Sequence, residues 1–309
     1  MKIVFMGTPE AAVKSLERIV NDGHEVVAVY TQPDKPAGRG NKLNESPVKR
    51  FAIERSLPVF QPAKIRTPDA FEQFRSHAAD IAVVVAYGRI LPESFLNAFP
   101  MGAINVHFSL LPKYRGAAPV NWAIVYGEAK TGVTTMKMDL GLDTGAILLQ
   151  RETQIGETET AIELMQRLAD IGADALSETL STYRDLTPRE QIETDATLAP
   201  IMKKEDGLVS WMLNATEITN RVRGFQPFPT AFTFFEGKKL TIWSASPSDV
   251  SHSLKHPGEI LEAKADSLLV FCGGDSVLSI KELQLEGKRR MSVRDFINGV
   301  RPEIGKILG

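Results

Sequence analysis

Residues 2–31, KIVFMGTPEAAVKSLERIVNDGHEVVAVYT, decide the fold. KIVFM is a short apolar strand. PEAAVKSLERIVNDG then carries apolar residues at helical spacing as far as Gly23, and HEVVAVYT returns as a second strand. Strand, helix and strand in that order make a βαβ unit, whose crossover brings the second strand back parallel to the first.

The same alternation continues through SPVKRFAIERS (helix), LPVFQP (strand), TPDAFEQFRSHA (helix), DIAVVVAY (a strand apolar enough to be buried on both faces), GAINVH (strand), a helix near 117–126, GVTTMKM and AILLQRETQI (strands), and a long amphipathic helix over 159–183. It predicts a doubly wound, mostly parallel α/β sheet of the Rossmann-like kind over residues 1–188. Residues 189–207 are poor in apolar side chains and read as a linker. From 208 to 309 a helix near NATEITNRVRGF precedes short β-rich segments, TAFTFF, KKLTIW, GEILEA, SLLVFC and VLSIKELQL, separated by turn residues. That pattern predicts a small β-barrel of the oligonucleotide-binding (OB) type.

Bulk properties set outer limits. A chain of 309 residues, 43% hydrophobic and 24% charged, is too long for one compact unit and has an ordinary globular composition. Its net charge of −2 gives no global polyanion-binding signature, although the part after Pro200 is slightly basic and the remainder slightly acidic. The single cysteine, Cys272, excludes an internal disulfide and any multi-cysteine metal site. The longest apolar run, IAVVVAY from Ile81, is far short of a bilayer span. A cytoplasmic, monomeric protein without a membrane segment is expected.

Open parallel sheets bind ligands outside the carboxyl ends of their strands, which singles out NVHFSLLPKYRGAAP, residues 105–119. Asn105, His107 and Ser109 alternate as GAINVH leaves the sheet, so they share one face. The segments AYGRILP and MDLGLDTG follow other strands and are expected at the same edge. An Asn offers a neutral donor for a developing oxyanion, a His can move a proton near neutral pH, and Asp143 could orient the imidazole. Asp139 is as readily a turn former. Ser109 lacks the G-x-S-x-G surroundings of a nucleophile, which favours direct transfer between two bound molecules over an acyl-enzyme. No H-E-x-x-H or paired-Cys pattern is present, so no metal is expected. MGTPEAA lacks G-x-G-x-x-G, which argues against a nicotinamide-dependent oxidoreductase.

NVHFSLLPKYRGAAP together with MDLGLDTG resembles the folate-dependent formyltransferases, and FMGTPE, TQPDKPAGRGNKL, VVAYGRILP and RGFQPFPTAF extend the resemblance over nearly the whole chain. It implies a catalytic trio of Asn105, His107 and Asp143. It also implies a folate pocket from Gly88, Arg89, Ile90 and Leu91, from Ser109, Leu110, Leu111 and Pro112, and from the loop with Asp139 and Gly141. The donor would be 10-formyltetrahydrofolate. In the branch that these segments match, the acceptor is the α-amino group of methionine on initiator tRNA, and a basic insertion carrying Arg39 and Lys42 meets the acceptor stem. Phe108 stands where the family often has a small residue, and it is expected in the pocket wall.

Overall fold

The computed structural model describes residues 1–37, 42–250 and 255–309. In chain order the elements are β1 (Lys2–Gly7), α1 (Glu10–Asn21), β2 (Glu25–Tyr30), β3 (Lys35–Ala37), β4 (Lys42–Asn44), α2 (Pro47–Glu54), β5 (Val59–Phe60), α3 (Pro68–Ser76), β6 (Ile81–Val85), α4 (Glu93–Leu96), β7 (Ala103–His107), β8 (Arg115–Gly116) and α5 (Pro119–Val125). There follow β9 (Lys130–Lys137), β10 (Ile147–Gln154), α6 (Ala161–Thr182), β11 (Leu198–Ala199), α7 (Ala215–Gly224), β12 (Ala231–Phe235), β13 (Lys238–Ser248), β14 (Ile260–Lys264), β15 (Ser267–Cys272), β16 (Ser276–Leu285), β17 (Met291–Ser292) and α8 (Val293–Val300). They form two compact units: Met1–Pro119, Lys130–Gln154 and Met165–Ala199 in the first, and Val120–Ala129, Ile155–Leu164 and Pro200–Gly309 in the second.

The first unit is built on a seven-stranded sheet in the order β10-β9-β7-β6-β1-β2-β5. The five strands from β7 to β5 are parallel, as the βαβ reading requires. Every residue of β6 is buried, which is why its sequence is a continuous apolar run rather than an alternation. Helices start where the sequence signals them. The Ser46 hydroxyl accepts from Lys49 N at 3.1 Å ahead of Pro47, and Thr67 caps Ala70 N ahead of Pro68. One face of the sheet, bearing Val4, Met6, Ala82, Val84 and Ala103, packs against Phe74, Phe95 and Phe99, with ring centroids 4.5 and 4.9 Å from Phe74.

β9 breaks the parallel order. It runs antiparallel to β7, pairing His107 with Thr134 and Ile104 with Lys137, and β10 returns antiparallel to β9. The chain therefore leaves β9 beside the start of β7, where Met138 N donates to Ala103 O at 2.9 Å. This corrects the expectation that MDLGLDTG begins at the edge where His107 ends. A helix between two strands permits a parallel return without enforcing one, and hydrophobic periodicity carries no strand direction.

The β3–β4 hairpin is held at both feet. Lys49 Nζ lies 2.5 Å from Asp34 Oδ2 and 3.0 Å from Glu45 Oε1, and Gln61 Nε2 donates to Asp34 Oδ1 at 2.8 Å. The hydrogen bonds from Lys49 and Gln61 hold the Asp34 carboxyl below its ordinary range. A group depressed in the folded state contributes stability above its unfolded pKa of about 3.9 and loses it as pH falls through the lower folded value. Lys49→Met should therefore lower the melting temperature at pH 7. The gap to the parent protein should narrow in melts run below about pH 4.

In the second unit the strands run β12-β13-β16-β15-β14, each pair antiparallel, with β17 on the flank of β16. Register shifts near Ile242 and Ser244 interrupt the pairing of the long β13 with β16, the irregularity by which a long strand turns within a small sheet. The inner face, with Ile242, Val270, Leu278 and Ile280, packs with Trp211, Ile218, Val222 and Phe296. This is the small barrel-like domain that the β-rich segments predicted. α7 opens on a capping box in which Asn214 Oδ1 accepts from Glu217 N, and Glu217 Oε2 accepts from Asn214 N, both at 2.9 Å.

Candidate active site

Alternation along β7 puts Asn105 and His107 on the sheet face that carries Ala103, and both are buried, 9% and 6% exposed. Phe108 points the other way. Its ring lies near Gly172 of α6, where a Cβ would stand 3.4 Å from Cε1, so it belongs to the helix–sheet interface and not to the wall beside His107. That corrects the expectation for Phe108, and the reason is the two-residue period of a strand.

Ser109 is fully buried, and its hydroxyl donates to Lys113 O at 2.6 Å. Thr134 Oγ1 donates to Ser109 O at 2.6 Å and accepts from Leu111 N at 3.1 Å. Leu111 is buried with Met136 and Ile147. Ser109 thus shapes the SLLP turn, and Leu110 and Pro112 are half-buried within it.

The ring of His107 is fixed by a backbone group. Nε2 lies 2.9 Å from Tyr114 O, and because a carbonyl can only accept, Nε2 carries the hydrogen. Nδ1 remains to exchange protons, 3.6 Å from Asp143 Oδ2. Asp143 Oδ2 accepts from Gly116 N at 2.9 Å, and Asp143 Oδ1 lies 3.5 Å from Asn105 Nδ2. The carboxylate reaches this position because the loop after β9 folds back over the sheet face, with Asp143 itself at φ +55°. Gly116 has to be glycine: its φ is +125°, and a Cβ would come within 2.6 Å of Ala199 O, across the β8–β11 pair.

The three polar groups are thus brought together, but 3.6 Å between Nδ1 and Oδ2 is too long for a hydrogen bond. In neutral His107 both atoms are acceptors. An N–H donor entering between them would satisfy both, whereas another acceptor would be repelled. The arrangement is suited to an amine.

The loop from Gly88 to Leu91 leaves β6 at the His107 end of the sheet. Gly88 has φ +82°, Leu91 is buried and Ile90 is 68% exposed. Arg89 is held by Gln32 Oε1 at 3.0 Å and by Pro62 O at 3.1 Å, while Tyr87 O accepts from Gln32 Nε2 and Thr8 Oγ1. Asp139 Oδ1 accepts from Gly141 N at 3.0 Å and from Thr144 Oγ1 at 2.7 Å, an Asx turn within its own loop. Leu140 and Leu142 of that loop are exposed. Arg39 lies outside the described residues, and Lys42 opens β4.

Reading side-chain types in sequence missed Tyr114 and Gly116, which act through backbone atoms, and Gln32 and Thr134, ordinary polar residues with no motif around them. Only the glycine of YRGAAP signalled a close approach.

Residues 1–180 match the family model described as formyl transferase, and residues 201–301 match that of the formyl transferase C-terminal domain. The chain belongs to the formyl transferase family. This formyltransferase is 48% identical over 311 residues to the methionyl-tRNA formyltransferase of Alkaliphilus oremlandii, with all of both chains covered. It is 51% identical over 312 residues to that of Koribacter versatilis, covering all of this chain and 99% of the relative. Among solved structures, a sugar 3N-formyl transferase, WlaRD, in the presence of dTDP and 5-N-formyl-THF, aligns with TM-score 0.68 over 94% of this chain and 99% of its own, at 19% identity. The N-formyltransferase from Helicobacter canadensis, in complex with folinic acid and dTDP-3-aminofucose, aligns equally well at 18% identity, covering 91% of this chain and 98% of its own. At these identities the two structures speak for the fold of this formyltransferase alone.

Proposed function

We propose that this formyltransferase moves the formyl group of 10-formyltetrahydrofolate to the α-amino group of methionine on initiator tRNA, in the cytoplasm and as a monomer. The observation that carries this reading is end-to-end similarity, near half the residues, to relatives named methionyl-tRNA formyltransferase. The meeting of Asn105, His107 and Asp143 supports it chemically.

An α-amino group has a pKa of about 7.7–8.0, so much of the acceptor arrives protonated and must lose a proton to attack. The ammonium gives up that first proton to solvent; His107 Nδ1 and Asp143 Oδ2 then accept hydrogen bonds from the neutral amine, and Nδ1 takes a second proton as the amine attacks the formyl carbon. Asn105 Nδ2 donates to the oxygen as it becomes an oxyanion. Nδ1–H then returns the proton to the departing folate nitrogen. Nε2–H stays on Tyr114 O throughout, so the ring keeps its aim. For the folate, the loops with Gly88, Arg89, Ile90 and Leu91 and with Asp139 and Gly141 offer backbone polar groups beside exposed Ile90, Leu140 and Leu142, a mixture suited to a flat heterocycle.

The acceptor is tested by offering initiator methionyl-tRNA, uncharged tRNA and a dTDP-amino sugar against labelled 10-formyltetrahydrofolate. Label should enter only the charged tRNA. Comparable transfer to the amino sugar would reassign the substrate.

Arg39 and Lys42, on the β3–β4 insertion, are proposed to meet the acceptor stem, and the exposed Lys288, Arg289 and Lys238 of the second unit to make sequence-independent phosphate contacts. Arg39→Ala should raise KM for charged tRNA several-fold and leave folate KM unchanged. Unchanged tRNA kinetics would remove Arg39 from the interface.

A further inference from the structure

The segment 189–199 is tied to both loops that complete the trio. Arg189 and Ile147 exchange two backbone hydrogen bonds of 2.8 Å. Thr197 Oγ1 accepts from Tyr114 N at 2.9 Å, Thr197 O accepts from Arg115 N at 2.8 Å, and Ala199 O accepts from Ala117 N at 2.9 Å. Tyr114 O holds the imidazole and Gly116 N holds the carboxylate. The strap therefore fixes the backbone on either side of both supports.

Within it, Gln191 Nε2 donates to Asp143 O and to Gly145 O, both at 2.8 Å, bracketing the turn that presents the carboxylate. Gln191 Oε1 accepts from Arg115 Nε at 3.0 Å. A guanidinium has no acceptor and a carbonyl has no donor, so only one orientation of this amide satisfies all three neighbours. Arg115 locks that orientation. It is only 4% exposed, its Nη1 donates to Glu193 Oε2 at 2.8 Å, and among the described residues its buried Nη2 has no hydrogen-bond partner. Burying a charge with a donor unsatisfied is a poor way to fill space. Asp143 meanwhile sits at φ +55°, a left-handed conformation that is uncommon outside glycine, although aspartate tolerates it better than most residues.

We infer that Gln191 and Arg115 are a positioning pair that holds the Asp143 backbone in its left-handed conformation and so aims the carboxylate at His107 Nδ1 and Asn105 Nδ2. The inference rests on the role proposed above for Asp143.

The test is a double-mutant cycle on the full chain, with formyl transfer to initiator methionyl-tRNA as the readout and melting temperature as a control for folding. Gln191→Glu keeps the acceptor facing Arg115 and the side-chain volume, but turns the two donors into an oxygen facing two carbonyls. It should lower kcat roughly 10- to 100-fold, as expected for a misplaced catalytic group, while both KM values stay within about twofold. Arg115→Lys, which keeps a charge but has no Nε for Gln191, should shift kcat in the same direction by less. In an Asp143→Asn background neither change should cost anything further, because residues acting as one unit are not additive. Should Gln191→Glu fail to fold, Gln191→Met supplies the same comparison without a buried charge. Losses that multiply in the Asp143→Asn background would overturn the positioning pair and leave the proposed function standing. An Asp143→Asn protein as active as the parent would overturn the reading beneath both.

Discussion

His107→Ala should lower kcat for formyl transfer by roughly 10²- to 10⁴-fold, the range typical of a lost general acid or base, with little change in KM for the folate. The size follows from the ring's surroundings. Nε2 is committed to Tyr114 O, so in the proposed mechanism Nδ1 alone is left to take the amine's proton and return it to the leaving nitrogen. His107→Asn sharpens the result. Its amide can stand near the place of Nδ1 and still donate a hydrogen bond, but it cannot carry a proton, so it should recover little of the rate. Near-normal turnover by His107→Asn would mean that hydrogen bonding alone is required at this position. Steady-state kinetics with both substrates varied decides between the two.

Asp143→Asn is expected to be nearly as damaging, again on the order of 10²- to 10⁴-fold in kcat, although it removes only a charge. Gly116 N–H must face an oxygen, so the new amide would keep its carbonyl there and turn its NH2 toward Asn105 Nδ2. Two donors would then face each other, and Asn105 would rotate its own NH2 away from the developing oxyanion. The substitution therefore disturbs the amide proposed to stabilise the transition state and removes the carboxylate proposed to receive the amine's hydrogens beside His107 Nδ1. Asp143→Glu keeps the charge but is one methylene longer in a turn bracketed at 2.8 Å by Gln191, and it should fail to restore the rate. Substantial activity in Asp143→Asn would show that the carboxylate is dispensable.

The parallel half of the sheet was legible because burial on both faces leaves continuous apolar runs such as Ile81–Val85, and because Ser46 and Thr67 announce the helices that follow. The shared face of Asn105 and His107 followed from a strand's period of two, and the same rule turns Phe108 toward α6. What was not legible has a common cause. The direction of β9 depends on pairing, which leaves no mark on hydrophobic periodicity, so Asp143 was matched with His107 although its loop starts from the other edge of the sheet. Residues 189–199 read as a linker because they are polar, yet the side chains of Gln191 and Thr197 use that polarity in hydrogen bonds to the loops around the trio. Composition does not separate a side chain solvated by water from one bound to a backbone carbonyl. The groups that hold His107 and Asp143, Tyr114 O and Gly116 N, are main-chain atoms present at nearly every position, and only the glycine at 116 leaves a trace in the side-chain sequence.

The most direct measurement is a single-turnover rapid-quench experiment with formyl-labelled 10-formyltetrahydrofolate, initiator methionyl-tRNA and the enzyme in excess. Direct attack by the amine predicts that label leaves the folate and enters the tRNA at one common rate, with none retained on the protein at any quench time. Label accumulating on the protein before it reaches the tRNA, or label lost from the folate without ever entering the tRNA, would contradict the account.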